Sequence, residues 1–251
     1  PLVDAALPIL AHEHGFAEHE GLSLRLVRDM SWATVQDRLL YGHSDAAHLV
    51  APLAIATTLG RGRPAQPLSV PFVLGLNGNA ITMRPEFAER VCPPGRLGDA
   101  RQVGTTLAAV AKTSAAQGKR LRFGVVHRYS SHNDMRRYGL AASGIRPDYD
   151  VEIVTIAPPF CADALEAGEV DGICVGEPWN VRAIQDNIGF TATTTQAMWK
   201  DHPEKVLGTT GDFVKKYPNT ARAVTAAILE AGKWIDASLS NKNKMAETIA
   251  D

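Results

Sequence analysis

The chain has 251 residues, 26 basic against 27 acidic side chains, and a formal charge of −1 at pH 7; 45% of residues are hydrophobic and 21% charged. That length supports one large or two modest domains, and the composition is that of a folded globular chain, not a disordered one. Near-neutral charge gives no case for a direct nucleic-acid or membrane-surface partner. No apolar run approaches the roughly 20 residues that span a bilayer, and the scattered Cys92, Cys161 and Cys174 form neither a disulfide framework nor a CxxC metal clip.

The first hundred residues read as alternating helix and strand. Residues 4–14 predict a helix in which Pro8 is tolerable only in the first turn, with Gly15 as its stop. Residues 22–27 (LSLRLV) alternate like a strand. Residues 32–41 predict a helix capped by Ser31 and ended by Gly42. Residues 46–50 read as a short apolar strand, 53–59 as a helix closed by Gly60, and 68–74 and 80–83 as two further strands.

Residues 85–118 read as an Ala-rich helical connection broken at Cys92-Pro93-Pro94-Gly95. A second unit follows: strand 121–126, helix 134–142, strand 151–156, short helix 162–167 and strand 172–175. From residue 191 the chain is read as returning to the first unit and ending in a long helix over 220–237. The expected architecture is α/β with two lobes, each a mainly parallel sheet flanked by helices. Residues 1–85 with 191–251 form lobe I, residues 86–190 form lobe II, and a ligand sits in the cleft between them, beyond the carboxyl ends of strands.

The sequence has no GxSxG elbow, no GxxxxGK[ST] loop and no GxGxxG fingerprint. His12 and His14 are two residues apart, so on a helix they point in different directions and cannot clamp one metal. No catalytic residue, metal or cofactor is expected.

The string CVGEPWN at residues 174–180 resembles a hallmark of the nitrate- and bicarbonate-binding proteins of ABC transporters and of related cytoplasmic nitrate sensors. PLVDAALPILAHEHGF at the start, then SWATVQDRL, DAAHLVAPLA and LNGNAITM, and later SSHNDMRRYGLAASGI and WKDHPEKVLG, are similar to that family's segments in the same order. The resemblance covers nearly the whole chain. It implies a periplasmic-binding-protein-like fold of type II and a non-enzymatic binder of a small oxyanion. It also implies a strand before Pro1 and further helices after Asp251.

In the family's nitrate binders the anion is held by a Trp, a Gln, a His, a Lys and a backbone group of the VGEPW loop. By motif these fall on Trp32, Asn79 (where the family has Gln), His132, Gly176 and Lys205. The chemistry agrees. A planar monoanion needs several donors in its plane and about one positive charge; Lys205 supplies the charge, and Trp32, Asn79 and His132 can donate. The family's bicarbonate binders are expected to carry an acidic residue and a cation where this chain has Lys205, so nitrate is preferred, with nitrite second and bicarbonate or sulfonate as alternatives.

Each residue also has an ordinary reading: Trp32 as a core aromatic, Lys205 as a solvated charge, His132 as a helix-start residue, Asn77 and Asn79 as turn chemistry beside Gly78, and Glu177-Pro178-Trp179 as a hinge. Two biological roles fit the resemblance. One is a periplasmic or membrane-anchored solute-binding component serving an ABC permease. The other is a cytoplasmic sensor acting on a regulatory antiterminator, towards which Asn79 and the lack of a leader before Pro1 lean slightly. A third class, an enzyme of menaquinone or thiamine-pyrimidine synthesis on the same fold, follows from fold analogy alone.

Overall fold

The computed structural model describes residues 2–92 and 98–250; the expected break therefore lies, from Pro93 onward, outside the described residues. A 3-10 turn at Val3–Ala5 leads into α1 (Ala6–Glu13), followed by α2 (Phe16–His19), α3 (Trp32–Leu40), β1 (Ala46–Val50) and α4 (Ala51–Thr58). Next come β2 (Leu68–Leu76), β3 (Asn79–Met83), α5 (Ala88–Val91), α6 (Ala100–Ala116), β4 (Leu121–Val125) and α7 (Ser131–Ala142). β5 (Val151–Thr155), α8 (Cys161–Glu166), β6 (Gly172–Gly176) and α9 (Trp179–Gln185) continue the alternation. β7 (Phe190–Thr194), α10 (Thr195–Met198), β8 (Pro203–Thr210), α11 (Gly211–Lys216), α12 (Pro218–Asp236) and α13 (Leu239–Ala250) end it.

Local chemistry sets the helix starts. Ser31 Oγ accepts from the Thr34 N–H at the head of α3, Asp99 from the N–H groups of Arg101 and Gln102 at α6, and Ser130 from Asn133 at α7. Each cap satisfies donors that the first helical turn leaves free, a contribution of about 1 kcal/mol. Because Ser130 is the cap, α7 starts at Ser131, three residues before the expected start. Pro8 lies in the first turn of α1, where an N–H would have no helical partner. Gly42 follows α3 with φ of 73°, a conformation that costs a side-chain-bearing residue more.

The eight strands form two sheets, a three-stranded one in the order β1-β8-β2 and a five-stranded one in the order β5-β4-β6-β3-β7. β4 pairs in parallel with β5 and β6, while β3 runs antiparallel to both β6 and β7. β8 runs antiparallel to both its neighbours, β1 and β2. The α/β class therefore holds, with mixed sheets in place of mainly parallel ones. In the smaller sheet the antiparallel β8 is inserted between strands that would otherwise be neighbours.

Two expectations are corrected by this pairing. Residues 22–27 are not a strand: their backbone joins no ladder, and Leu22 and Leu24 instead pack beside the Leu10–Leu207 cluster. The alternation was real but is satisfied by side-chain burial alone. The division at residues 85 and 191 also shifts. β3 and β7 both lie in the five-stranded sheet, so the chain crosses between sheets at Asn77-Gly78 and again between β7 and β8. All five residues of β3 are buried, as a strand flanked on both edges and covered on both faces should be. The two crossings are tied together, the Asn77 N–H donating to the His202 carbonyl at 3.0 Å.

The core falls into three clusters. One lies under α6 and α7 against the larger sheet (Val103, Leu107, Phe123, Leu140), and one binds α1 and α12 to the smaller sheet (Leu10, Leu207, Ile228). The third runs between the two sheets and contains Trp32, Leu49, Leu53, Ile173, Val175 and Val206. Each fully buried aliphatic side chain here contributes roughly 1.5–3 kcal/mol. The inter-sheet cluster fixes where the buried polar groups described next must sit.

Candidate functional site

All five residues singled out in the sequence are buried, and they come from five different elements. Trp32 opens α3, Asn79 opens β3, His132 lies in the first turn of α7, Gly176 closes β6 and Lys205 lies near the start of β8. Asn79 and Gly176 are ladder partners, and a Cβ placed on Gly176 would lie 3.4 Å from Asn79 Oδ1 and 3.7 Å from Asp4 Oδ2. Lys205 Nζ is 5.4 Å from the centre of the Trp32 ring. His132 reaches the group through Glu204, its Nδ1 being 3.4 Å from Glu204 Oε1. The solvated-lysine reading is overturned: Lys205 is 0% exposed.

What makes that burial tolerable is a pair of carboxylates that the sequence reading passed over. Lys205 Nζ lies 2.7 Å from Asp4 Oδ2 and 2.7 Å from Glu204 Oε1. Asp4 also faces His48, with Oδ1 to Nε2 at 3.3 Å, and Glu204 Oε2 lies 3.8 Å from His202 Nδ1. Adjacent residues on a regular strand point to opposite faces, so Glu204 and Lys205 would not be expected to touch. β8 is irregular here: Gly75 pairs with Lys205 and Leu76 with Pro203, leaving Glu204 as the extra residue of a bulge that re-aims its side chain. Both carboxylates stood inside recognised strings, Asp4 in PLVDAAL and Glu204 in HPEK, which was the signal available.

The electrostatics follow from this arrangement. Burial alone would push the Asp4 carboxyl up, but the Lys205 ammonium and His48 hold it well below the usual carboxylate range. Burial likewise opposes ionisation of Glu204, and His132 and Lys205 outweigh it, so its pKa is lowered. Lys205 is penalised by burial yet held above the ordinary lysine value by Glu204 and Asp4. His132 goes the other way: burial outweighs the attraction of Glu204 and lowers it to about 4, so the ring is neutral at physiological pH.

Around the charged cluster stand polar atoms that no protein group satisfies. Trp32 Nε1, Asn79 Nδ2 and Oδ1, His132 Nδ1 and Glu204 Oε2 are all buried without a hydrogen-bond partner. Such groups each cost on the order of 1–3 kcal/mol and seldom persist without a function. A groove of about 640 Å³ passes along residues 22–32 and reaches Trp32, His48 and Trp179. Asn79, His132, Gly176 and Lys205 are not on its wall. Among the described residues no group of three or more His, Cys, Asp or Glu is placed to hold a metal ion.

Two α/β units joined by neighbouring crossings, with convergent buried polar groups where they meet, define the two-lobe periplasmic-binding-protein fold. The comparisons with known proteins place the chain within it. Residues 1–250 match the NMT1-like family, to which the chain belongs. The chain is 34% identical to the nitrate/nitrite binding protein NrtA of Nostoc over 256 residues, covering 100% of this chain and 56% of that protein. It is 38% identical to the nitrate import ATP-binding protein NrtC of Synechocystis, covering 94% of this chain and 34% of the relative.

It is also 38% identical to the bicarbonate transport ATP-binding protein CmpC of the same organism, covering 92% and 33%. The chain thus spans between a third and just over half of the length of these curated relatives. Among solved structures, the periplasmic nitrate-binding protein NrtA from Synechocystis superposes with a TM-score of 0.89 at 29% identity, covering 100% of this chain and 63% of that one.

Proposed function

We propose that this chain is the ligand-binding part of a two-lobed solute-binding protein for a small oxyanion, nitrate or nitrite, serving an ABC-type uptake system. The observation that carries the reading is the set of buried donors without partners, Trp32 Nε1, Asn79 Nδ2 and His132 Nδ1, around the Lys205 ammonium. Nitrate accepts hydrogen bonds and donates none, so such a ring of donors beside a fixed cation is complementary to it. Gly176 keeps the end of β6 free of side-chain bulk beside Asn79. Relatives named for nitrate and nitrite binding support the ligand class, and the names of the relatives as transport components support binding rather than catalysis. Among the described residues no helix is long and apolar enough to cross a membrane, so the permease would be a separate chain or domain. A regulatory antiterminator as the partner is the second role the same closure would serve.

A bicarbonate reading rests on one observation of its own. Glu204 Oε2 is a buried acceptor without a donor, and bicarbonate carries a hydroxyl that nitrate lacks. Titration calorimetry with nitrate, nitrite, bicarbonate and sulfate separates the two. Saturable heat with nitrate and nitrite, abolished in Lys205→Glu, is expected. Heat with bicarbonate alone overturns the nitrate assignment, and heat with none of the four overturns the oxyanion function.

A further inference from the structure

Charge counting in the buried cluster leads beyond the identity of the ligand. Asp4 and Glu204 face a single ammonium, Lys205, at 2.7 Å each. With His132 neutral, Asp4, Glu204 and Lys205 together carry one net negative charge before any anion arrives. A monoanion placed beside Trp32, Asn79 and Lys205 adds a second. Two like charges confined to a buried site of this size repel strongly, because the surrounding dielectric screens them far less than water does.

The same geometry shows where relief can come from. Two imidazoles flank the ammonium, each against one of its carboxylates: His132 Nδ1 lies 3.4 Å from Glu204 Oε1, and His48 Nε2 lies 3.3 Å from Asp4 Oδ1. Both contacts are close, and His132 Nδ1 and Glu204 Oε2 are buried without a hydrogen-bond partner. Facing His132 are Glu204 and Lys205 on β8, His202 just before that strand and Asp4 from the 3-10 turn; its own helix carries Asp134 and Arg136. Facing His48 are Asp4 and the Trp32 ring, the latter 5.5 Å away between centroids. His132 is the better proton acceptor for the purpose, because it is buried and its ring faces Glu204, whose charge a protonated imidazole would balance.

We propose that the anion enters this site together with one proton, which is carried on His132, and that Asp4 and Glu204 impose the coupling. The inference rests on the oxyanion reading above and names the second ligand of that site. The step is a binding equilibrium: the proton moves from solvent or buffer to whichever nitrogen of the neutral His132 ring is unprotonated, making both nitrogens donors, and no covalent bond to the anion forms or breaks. Burial holds His132 neutral down to about pH 4 in the free protein; the anion's charge raises its proton affinity, so anion affinity grows as pH falls through the interval between the two values.

The test is calorimetry with sodium nitrate in two buffers of different ionisation enthalpy, Tris and HEPES, at the same near-neutral pH, followed by a pH series from about 5 to about 7.5. Expected are enthalpies whose difference, divided by the difference in buffer ionisation enthalpy, gives about one proton taken up per nitrate, and a dissociation constant that rises up to about tenfold per pH unit. In Glu204→Gln the cluster loses one negative charge, so the proton uptake and the pH slope should fall while nitrate still binds. A thermal melt of that variant checks its fold, and Asp4→Asn serves as the second variant. Nitrate binding with equal enthalpy in both buffers and a flat pH series overturns the coupling alone. Absence of heat under every condition overturns the oxyanion reading and this inference with it.

Discussion

Lys205 Nζ and Asp4 Oδ2 meet at 2.7 Å, joining the first turn of the chain to the strand at the centre of the smaller sheet. This ion pair has a structural consequence independent of any ligand. Lys205→Met would leave Asp4 and Glu204 buried without their cation, an imbalance that typically costs about 3–5 kcal/mol. Urea unfolding is expected to show that loss. The double variant Lys205→Met with Asp4→Asn is expected to recover part of it, the signature of coupled neighbours. If the single variant is as stable as the parent chain, the charged cluster is not formed as described.

Asn79 offers the opposite behaviour. Both atoms of its amide are buried without partners, so the protein bears their desolvation and gains nothing for folding. Replacing it with Leu, close in size, is expected to leave stability unchanged or raise it by up to about 1 kcal/mol, while nitrate affinity falls at least about tenfold, the loss of one charge-assisted hydrogen bond. A thermal melt and a titration on the same sample check both halves. A variant that loses stability and keeps binding would assign Asn79 to the fold instead.

Those two residues mark how far the sequence could be read. The candidate site residues could be named because each stands in a string of its own and because the strings occur in order; the helix start at Trp32, capped by Ser31, was placed to the residue. Glu204 was not named, although it adjoins Lys205: no strand was read there, and neighbours on a regular strand would point apart, the bulge opposite Gly75 and Leu76 being what brings them together. β3 was recognised as a strand but assigned to the wrong sheet. Its short, largely apolar run says that it is buried and says nothing about which partners bury it. β8 went unread because Glu204 and Lys205 are surface residues by composition, and their pairing with each other, with Asp4 and with His132 is what lets them be buried.

Arg136 carries a prediction outside the site. It is 3% exposed, its guanidinium lies 3.5 Å over the Phe123 ring, and Nε and Nη2 have no partner. Burial lowers its pKa to about 10. The ring contact returns only part of what desolvating a full charge costs. Arg136→Leu is therefore expected to stabilise the chain by about 1–3 kcal/mol and to leave nitrate affinity as it was. A lower melting temperature in this variant would mean that the guanidinium is satisfied in solution.

Stability should fall on acidification in two stages, and the sign follows from the direction of each shift. His132 has a folded pKa of about 4, below its ordinary 6.5, so between those values the unfolded chain binds the extra proton and the folded state loses stability as pH drops. The loss approaches about 1.4 kcal/mol per pH unit within that window. Asp4 and Glu204 are held below ordinary carboxylate values by Lys205 and their histidines. Their contribution is intact above about pH 4 and disappears as pH falls through their folded values. Denaturant midpoints from about pH 7 down to about pH 3 are expected to show the first decline beginning near 6.5. In His132→Gln that upper stage should vanish and the carboxylate stage remain. An unchanged upper stage in the variant would mean that His132 is not the neutral, buried ring behind it.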